Sequence, residues 1–140
     1  MEKISTQRNI VARPSHVQQA LTTPEGLRAW WTGDCELNGQ EARFRFAKEG
    51  GVMELAFRVD VAAPDRVEWT CIGQRNNPDW QDTRVLFELS PTHDGTRLDF
   101  AHTGWKEKGK VYEMCVAGWD HFMNSLKSYA ETGKGMPFGG

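Results

Sequence analysis

The stretch KGKVYEMCVAGWDHFMNSLKSYAET, Lys108–Thr132, decides the fold. Val111, Cys115, Gly118, Trp119, Phe122, Leu126 and Tyr129 recur at three- and four-residue intervals. That spacing gathers them on one stripe of an α-helix, with Lys110, Glu113, Asp120 and Lys127 largely elsewhere. Gly133 follows as a stop, because glycine readily takes the left-handed conformation that ends helices. The predicted helix is roughly 37 Å long at 1.5 Å per residue. An apolar stripe of that length needs a broad surface to cover it.

The residues upstream supply that surface. From Cys35 onward the period shortens to two. Ala42, Phe44 and Phe46 alternate with Glu41, Arg43 and Arg45, and Met53, Leu55, Phe57, Val59 and Val61 with Glu54, Ala56, Arg58 and Asp60. Val67, Trp69 and Cys71 repeat the pattern, as do Val85, Phe87 and Leu89, and then Leu98, Phe100 and His102. Turn signals at Gly50-Gly51, Pro64-Asp65 and Asp94-Gly95 keep the connections short, which makes neighbouring strands antiparallel. Arg43, Arg45, Glu54, Arg58, Glu68, Arg84, Glu88 and Arg97 face outward, where cross-strand ion pairs are expected and each is worth little.

Before this meander, Lys3–Val11 reads as a first strand with Ile4, Ile10 and Val11 as its apolar members. Pro14 opens a short helix carrying Val17, Ala20 and Leu21. Thr23 caps a second helix beginning at Pro24, with Leu27, Trp30 and Trp31 on one face and Gly33 expected to close it in a left-handed conformation. The predicted order is one strand, two short helices, about six strands and one long helix. This is an α+β architecture with an antiparallel sheet wrapped around its C-terminal helix.

A chain of 140 residues with 39% hydrophobic content is one domain's worth of core. Seventeen basic against nineteen acidic side chains, a net charge of -2, argue against a nucleic-acid partner. The mean hydropathy is -0.62 and no apolar run approaches the ~20 residues of a membrane span. The start MEKISTQRNIV lacks the apolar centre of a secretory signal. Cys35, Cys71 and Cys115 are an odd number with no CxxC pair, so a reduced, cytoplasmic setting is expected. The absence of HExxH, paired CxxC and i,i+4 histidines leaves no expected metal. Without a GxSxG elbow, GxGxxG turn or Walker loop, no cofactor and no catalytic residue is assigned. Residues 1–133 are expected to form the domain. Residues 134–140 form a glycine-rich tail, mobile by default although Phe138 is placed to dock near a cavity entrance.

Three runs carry a resemblance: LTTPEGLRAWW at Leu21–Trp31, LSPTHDGTRLDFAHTGW at Leu89–Trp105 and GWDHFMNSLKSYAETG at Gly118–Gly133. With the element order, they make the chain similar to the family named for activators of heat-shock-protein-90 ATPase. That family lies within the START-like (SRPBCC), Bet v 1-like helix-grip superfamily. The resemblance spans Arg8 to Gly135 and implies a cavity between the long helix and the curved sheet, where relatives hold lipids, polyketides, hormones or other apolar ligands. Eukaryotic co-chaperones of that name carry an additional N-terminal domain for which 140 residues leave no room, so chaperone activation is expected to carry over poorly.

Six Trp and seven Phe are a large rigid apolar supply for such a polar chain. Pocket walls are mostly apolar with a few orienting polar groups. On that reading Trp30, Phe57, Trp69, Phe87, Phe100, His102, Trp119 and Met123 are the candidate ligand-binding residues; the plainer alternative is that they fill a core. His102 shares an apolar face with Phe100. It is either satisfied by a carbonyl or water at its strand end, or stands at the cavity mouth as a ligand donor or acid/base group. His121 points away from the centre of the stripe, and His16 and His93 read as solvated. The segment GQRNNPDWQD, Gly73–Asp82, is an exposed hairpin tip or, given Trp80, a flap over one end of the cavity or a subunit contact. The expected function is non-catalytic binding of a small hydrophobic or aromatic ligand. One alternative is a polyketide cyclase- or hydratase-like enzyme using His102, for which the inward face offers no convincing carboxylate. The other is an interaction module in which Trp80, Trp105 or Leu86 meets a chaperone or a second copy in a homodimer.

Overall fold

A computed structural model describes residues 2–48 and 51–139. Strand β1 (Glu2–Ile10) leads into helices α1 (Pro14–Thr22) and α2 (Pro24–Trp30). Strands β2 (Asp34–Asn38), β3 (Glu41–Lys48), β4 (Gly51–Ala63), β5 (Arg66–Arg75), β6 (Arg84–Pro91) and β7 (Thr96–Trp105) follow, and α3 (Lys110–Thr132) closes the order. One seven-stranded antiparallel sheet results, ordered β1-β7-β6-β5-β4-β3-β2. The element order is the one read from the periodicities.

Local chemistry accounts for most boundaries. Pro14 and Pro24 open α1 and α2, and the Thr23 hydroxyl accepts the Gly26 N–H at 3.1 Å. Gly133 ends α3 at φ +85°. Gly33 does not play the same part for α2, contrary to expectation. That helix stops at Trp30, and Trp31 caps it in the right-handed region. The N–H groups of Trp31 and Thr32 both reach the Leu27 carbonyl, at 2.9 and 3.3 Å, so the helix is already closed when the chain reaches Gly33. Val11, expected to be an apolar member of the first strand, is 62% exposed because β1 ends one residue earlier and Ile10 takes the core position. Of the Gly50-Gly51 turn signal, Gly50 lies outside the described residues and Gly51 opens β4. The Asp94-Gly95 turn closes through Thr92 N–H to the Gly95 carbonyl at 2.9 Å. A side chain at Gly95 would run into the Ile10 carbonyl, so the close approach there requires glycine.

The inward faces interlock across the sheet: Phe44 opposite Leu55, Trp69 opposite Val85, Phe87 opposite Phe100. In β4 the strict alternation fails where Leu55, Ala56 and Phe57 are all buried, at a slip in the pairing with β5. A bulge of this kind bends the strand and curves the sheet. Edge strand β1 is tied to α3 by Arg8, whose guanidinium meets Asp120 Oδ1 at 2.6 Å and Asn124 Oδ1 at 2.9 Å. On the outer face Arg45 bridges Glu54, Glu36 and Asp34 at 2.8 to 3.2 Å, and Arg66 bridges Glu68 and Glu88. Such solvated pairs contribute little to stability. Among the described residues no helix is long and apolar enough to cross a membrane.

Candidate functional site

The stripe on α3 is two stripes. Tyr112, Trp119, Met123, Leu126 and Ala130 are buried and pack on the sheet. Val111, Met114, Cys115, Gly118 and Phe122 are exposed or half-buried and border a cavity. At about 100° per residue the two sets lie roughly 90° apart around the helix. The C-terminal half of α3 therefore seals a filled interior, while one flank of its N-terminal half roofs a hollow. Gly118 is central to that flank. A Cβ built there meets nothing within 4 Å, so the missing side chain is space added to the cavity.

The cavity holds about 390 Å³, room for about a dozen waters at ~30 Å³ each. Opposite α3 its wall is Phe46, Met53 and Leu55 from β3 and β4, with Trp31 from the end of α2. The hairpin between β5 and β6 contributes Asn76, Asn77 and Trp80. Among the described residues the lining holds no carboxylate, imidazole, amine or guanidinium, and no group of three or more His, Cys, Asp or Glu is placed to hold a metal ion.

Phe138 completes the wall. Of the two expectations for the tail, mobile by default or docked through Phe138, the second is observed: Phe138 N–H donates to the Trp31 carbonyl at 2.7 Å, and the ring stands edge-on to Phe46 with centroids 5.3 Å apart. Buried Ser125 donates to the Trp30 carbonyl at 2.8 Å and accepts the Met136 N–H at 2.6 Å. Gly135 lies so close to the Ala29 carbonyl that a side chain would collide with it. These backbone bonds and the half-buried ring outweigh the freedom of a glycine-rich end.

A directed hydrogen-bond chain fixes two wall residues. Trp119 Nε1–H can only donate, and it donates to His102 Nδ1 at 3.0 Å. The imidazole proton therefore sits on Nε2, which faces Thr83 Oγ1 at 2.8 Å, and Thr83 donates onward to the Trp80 carbonyl at 2.7 Å. Burial alone lowers the pKa of His102 to about 3, so the ring is neutral across the physiological range. Both nitrogens are engaged and the side chain is fully buried. His102 thus neither stands at the cavity mouth nor serves as an acid/base group there; it positions Trp119 and Trp80.

Of the eight candidate residues, Trp119 lines the cavity. Trp30, Phe57, Trp69, Phe87, Phe100 and Met123 are buried outside the lining. Trp69 stacks on Trp31 at 5.8 Å, Phe87 meets Phe100 at 5.2 Å, and Trp30 uses its Nε1–H on the Ala20 carbonyl at 2.7 Å. His102 lies behind Trp119. Trp80, read as an exposed hairpin tip or a flap, is 5% exposed at the end of a single 3-10 turn, Pro78–Trp80, and forms one end of the cavity. Its Nε1, like that of Trp105, is buried without a hydrogen-bond partner. His121 is exposed as expected, with Nε2 3.0 Å from the Met136 carbonyl. Burial pushes the thiols of Cys35 and Cys71 up to about 11, as for inert core cysteines. The residues missed include Trp31, Phe46, Met53, Leu55, the Asn pair and, along α3, Val111, Met114, Cys115, Gly118 and Phe122; for the helix, a glycine amid bulky members of a stripe was the available signal.

Comparison with known proteins gives this geometry a family. The solution structure of the Aha1 dimer from Colwellia psychrerythraea is 30% identical and superposes with a TM-score of 0.78, over 96% of this chain and 100% of that one. A crystal structure of a protein from Chromobacterium violaceum is 22% identical with a TM-score of 0.77, over 94% and 99%. DynU16, from the dynemicin biosynthetic locus, is 21% identical with a TM-score of 0.72, over 96% of this chain and 49% of that one. The last two likenesses are of fold. No curated protein matches at a significant level. The family model described as Activator of Hsp90 ATPase homolog 1-like protein matches residues 11–131, and with that match over a helix-grip architecture the chain belongs to this family.

Proposed function

We propose that the domain binds one small, predominantly apolar molecule between α3 and the sheet and performs no chemistry on it. The observation that carries this reading is a cavity of about 390 Å³ opened by a glycine in mid-helix, within the size range of small-molecule sites, ~300–1,000 Å³. A helix-interior glycine costs about 1 kcal/mol relative to alanine, so its retention is better explained by the space it leaves. The absence of carboxylate, imidazole and amine from the wall among the described residues supports binding over acid/base catalysis of the polyketide-cyclase kind. That no two of the three cysteines are joined by a disulfide is in keeping with a cytoplasmic location.

Gly118→Leu tests the reading. The variant is expected to melt at a higher temperature than the parent when free, through better helix propensity and a filled void. It should also lose the thermal shift that apolar compounds give the parent. In the parent, a ligand at a hundred times its Kd adds about 2.7 kcal/mol. An equal shift in both proteins, or no shift in either across a broad apolar library, removes the proposal.

A second copy as partner is favoured by one observation, the dimeric state of the Colwellia protein. We propose that this chain self-associates as well, and exposed Met114 and Val116 on α3 offer apolar surface for it. Sedimentation equilibrium is expected to return twice 15.9 kDa; a monomer mass at all concentrations rejects it. A chaperone contact has no comparable support.

A further inference from the structure

Two polar side chains interrupt the apolar wall, and they are adjacent. Asn76 is exposed, adopts φ +63°, and spends its Nδ2 on the Val52 carbonyl at 2.8 Å, so it shapes the turn. Asn77 is different. It is 7% exposed and its backbone is pinned at both ends, the N–H donating to Gln74 Oε1 at 3.1 Å and the carbonyl accepting from Trp80 N–H at 3.2 Å. Its side-chain Nδ2 rests 3.0 Å from Met53 Sδ, a weak acceptor, and Oδ1 makes no hydrogen bond among the described residues.

Buried amides are almost always satisfied, because leaving one unpaired is costly. Among the described residues the side-chain atoms fully sealed from any space without a partner are the two indole nitrogens of Trp80 and Trp105. Asn77 Oδ1 is not one of these, so it keeps accessible surface, and the residue lines the cavity. A rigidly held, nine-tenths buried amide with unspent bonding capacity on an otherwise apolar wall is built to meet a polar group brought in from outside.

Resting on the cavity-binding reading, we propose that Asn77 is the polar anchor of the site and that the ligand is a small neutral ring compound bearing one hydroxyl. A hydroxyl both donates and accepts, matching the carbonyl and N–H of an amide. Among the described residues the lining offers no cation to a carboxylate and no anion to an ammonium, and burying either unpaired is prohibitive. The hydroxyl points to the β5–β6 hairpin, and the ring lies between Trp119 and Phe122 on one side and Phe46 and Phe138 on the other.

Three probes sharing one ring system test this on the full chain: 2-naphthol, naphthalene and 2-naphthoate, followed by quenching of tryptophan fluorescence. Naphthol is expected to bind about tenfold tighter than naphthalene, with naphthoate not detectably bound. In Asn77→Leu the two neutral probes should converge while naphthalene retains its affinity. Asn77→Ser, smaller and still polar, should keep part of the difference. Equal affinity of naphthol and naphthalene in the parent, which needs no variant to fold, overturns the anchor and leaves the cavity reading standing. So does a naphthol advantage that survives in Asn77→Leu. Failure of all three probes to bind overturns the ring-compound proposal, and the cavity reading falls with it only when the apolar library also gives no thermal shift.

Discussion

Trp31→Ala is expected to destabilise the domain by about 3–5 kcal/mol, the range for removing a large buried aromatic. Trp31 is 2% exposed and sits where three groups of elements meet. Its ring centroid lies 4.3 Å from Phe44, 5.3 Å from Trp119, 5.6 Å from Phe46 and 5.8 Å from both Trp30 and Trp69. Close aromatic pairs of this kind add ~0.5–1.5 kcal/mol each beyond area burial. The loss should fall in the upper part of the range because the vacated volume joins an existing cavity, where neighbours have little reason to collapse. Urea denaturation of Trp31→Ala and Trp31→Phe measures it. A cost under about 1.5 kcal/mol for the alanine variant would show that the wall relaxes into the gap and that the cavity is not rigid.

His102→Phe is the second large effect. Phenylalanine roughly keeps the ring that packs 4.5 Å from Trp80 and 4.6 Å from Trp105. The Trp119 N–H loses its partner and is orphaned in the interior, at a cost of about 1–3 kcal/mol, while the Thr83 hydroxyl keeps its bond to the Trp80 carbonyl. The pH dependence separates this role from simple packing. In the unfolded chain the imidazole titrates near the ordinary 6.5 and in the folded protein near 3. Between those values the unfolded state binds the extra proton, so stability is full above about 6.5 and falls as pH drops toward 3, by at most about 1.4 kcal/mol per pH unit. Glu131, held below its ordinary range by the Val11 N–H and then by Lys127, adds its own acid loss only below the carboxylate pKa of 4.5. Thermal melts at successive pH values should therefore show an early acid limb in the parent, beginning near pH 6.5, that is absent in His102→Phe. Identical limbs would mean that His102 is not the buried neutral link between α3 and the hairpin.

The fold was open to sequence reasoning and the site was not, for one physical reason. Period-two alternation states which face of a strand a residue is on, and the spacing at Thr23 and Gly133 states where helices begin and end; both are local. Whether Phe87 or Phe46 borders empty space depends on how far along the sheet the helix lies above it, which is set by contacts distant in sequence. Phe87 and Phe46 read alike, yet one is sealed under Trp69 and the other faces the hollow. The two stripes of α3 merge in sequence because adjacent residues such as Val111 and Tyr112 are both apolar. Trp80 stayed open between an exposed tip, a flap over the cavity's end and a subunit contact because its neighbours are polar, and a single turn buries it at that end. The tail's docking depended on Ser125 and the Trp31 carbonyl, a hydroxyl and a backbone atom that leave no mark in a hydropathy pattern.

Because Phe138 hangs its N–H on the Trp31 carbonyl and Met136 hangs on Ser125, the doorway to the hollow is latched to the end of α2 as well as to α3. The parallel bridge between Phe138 and Thr32 is that latch, so the width of the entrance follows the end of α2 rather than the sheet.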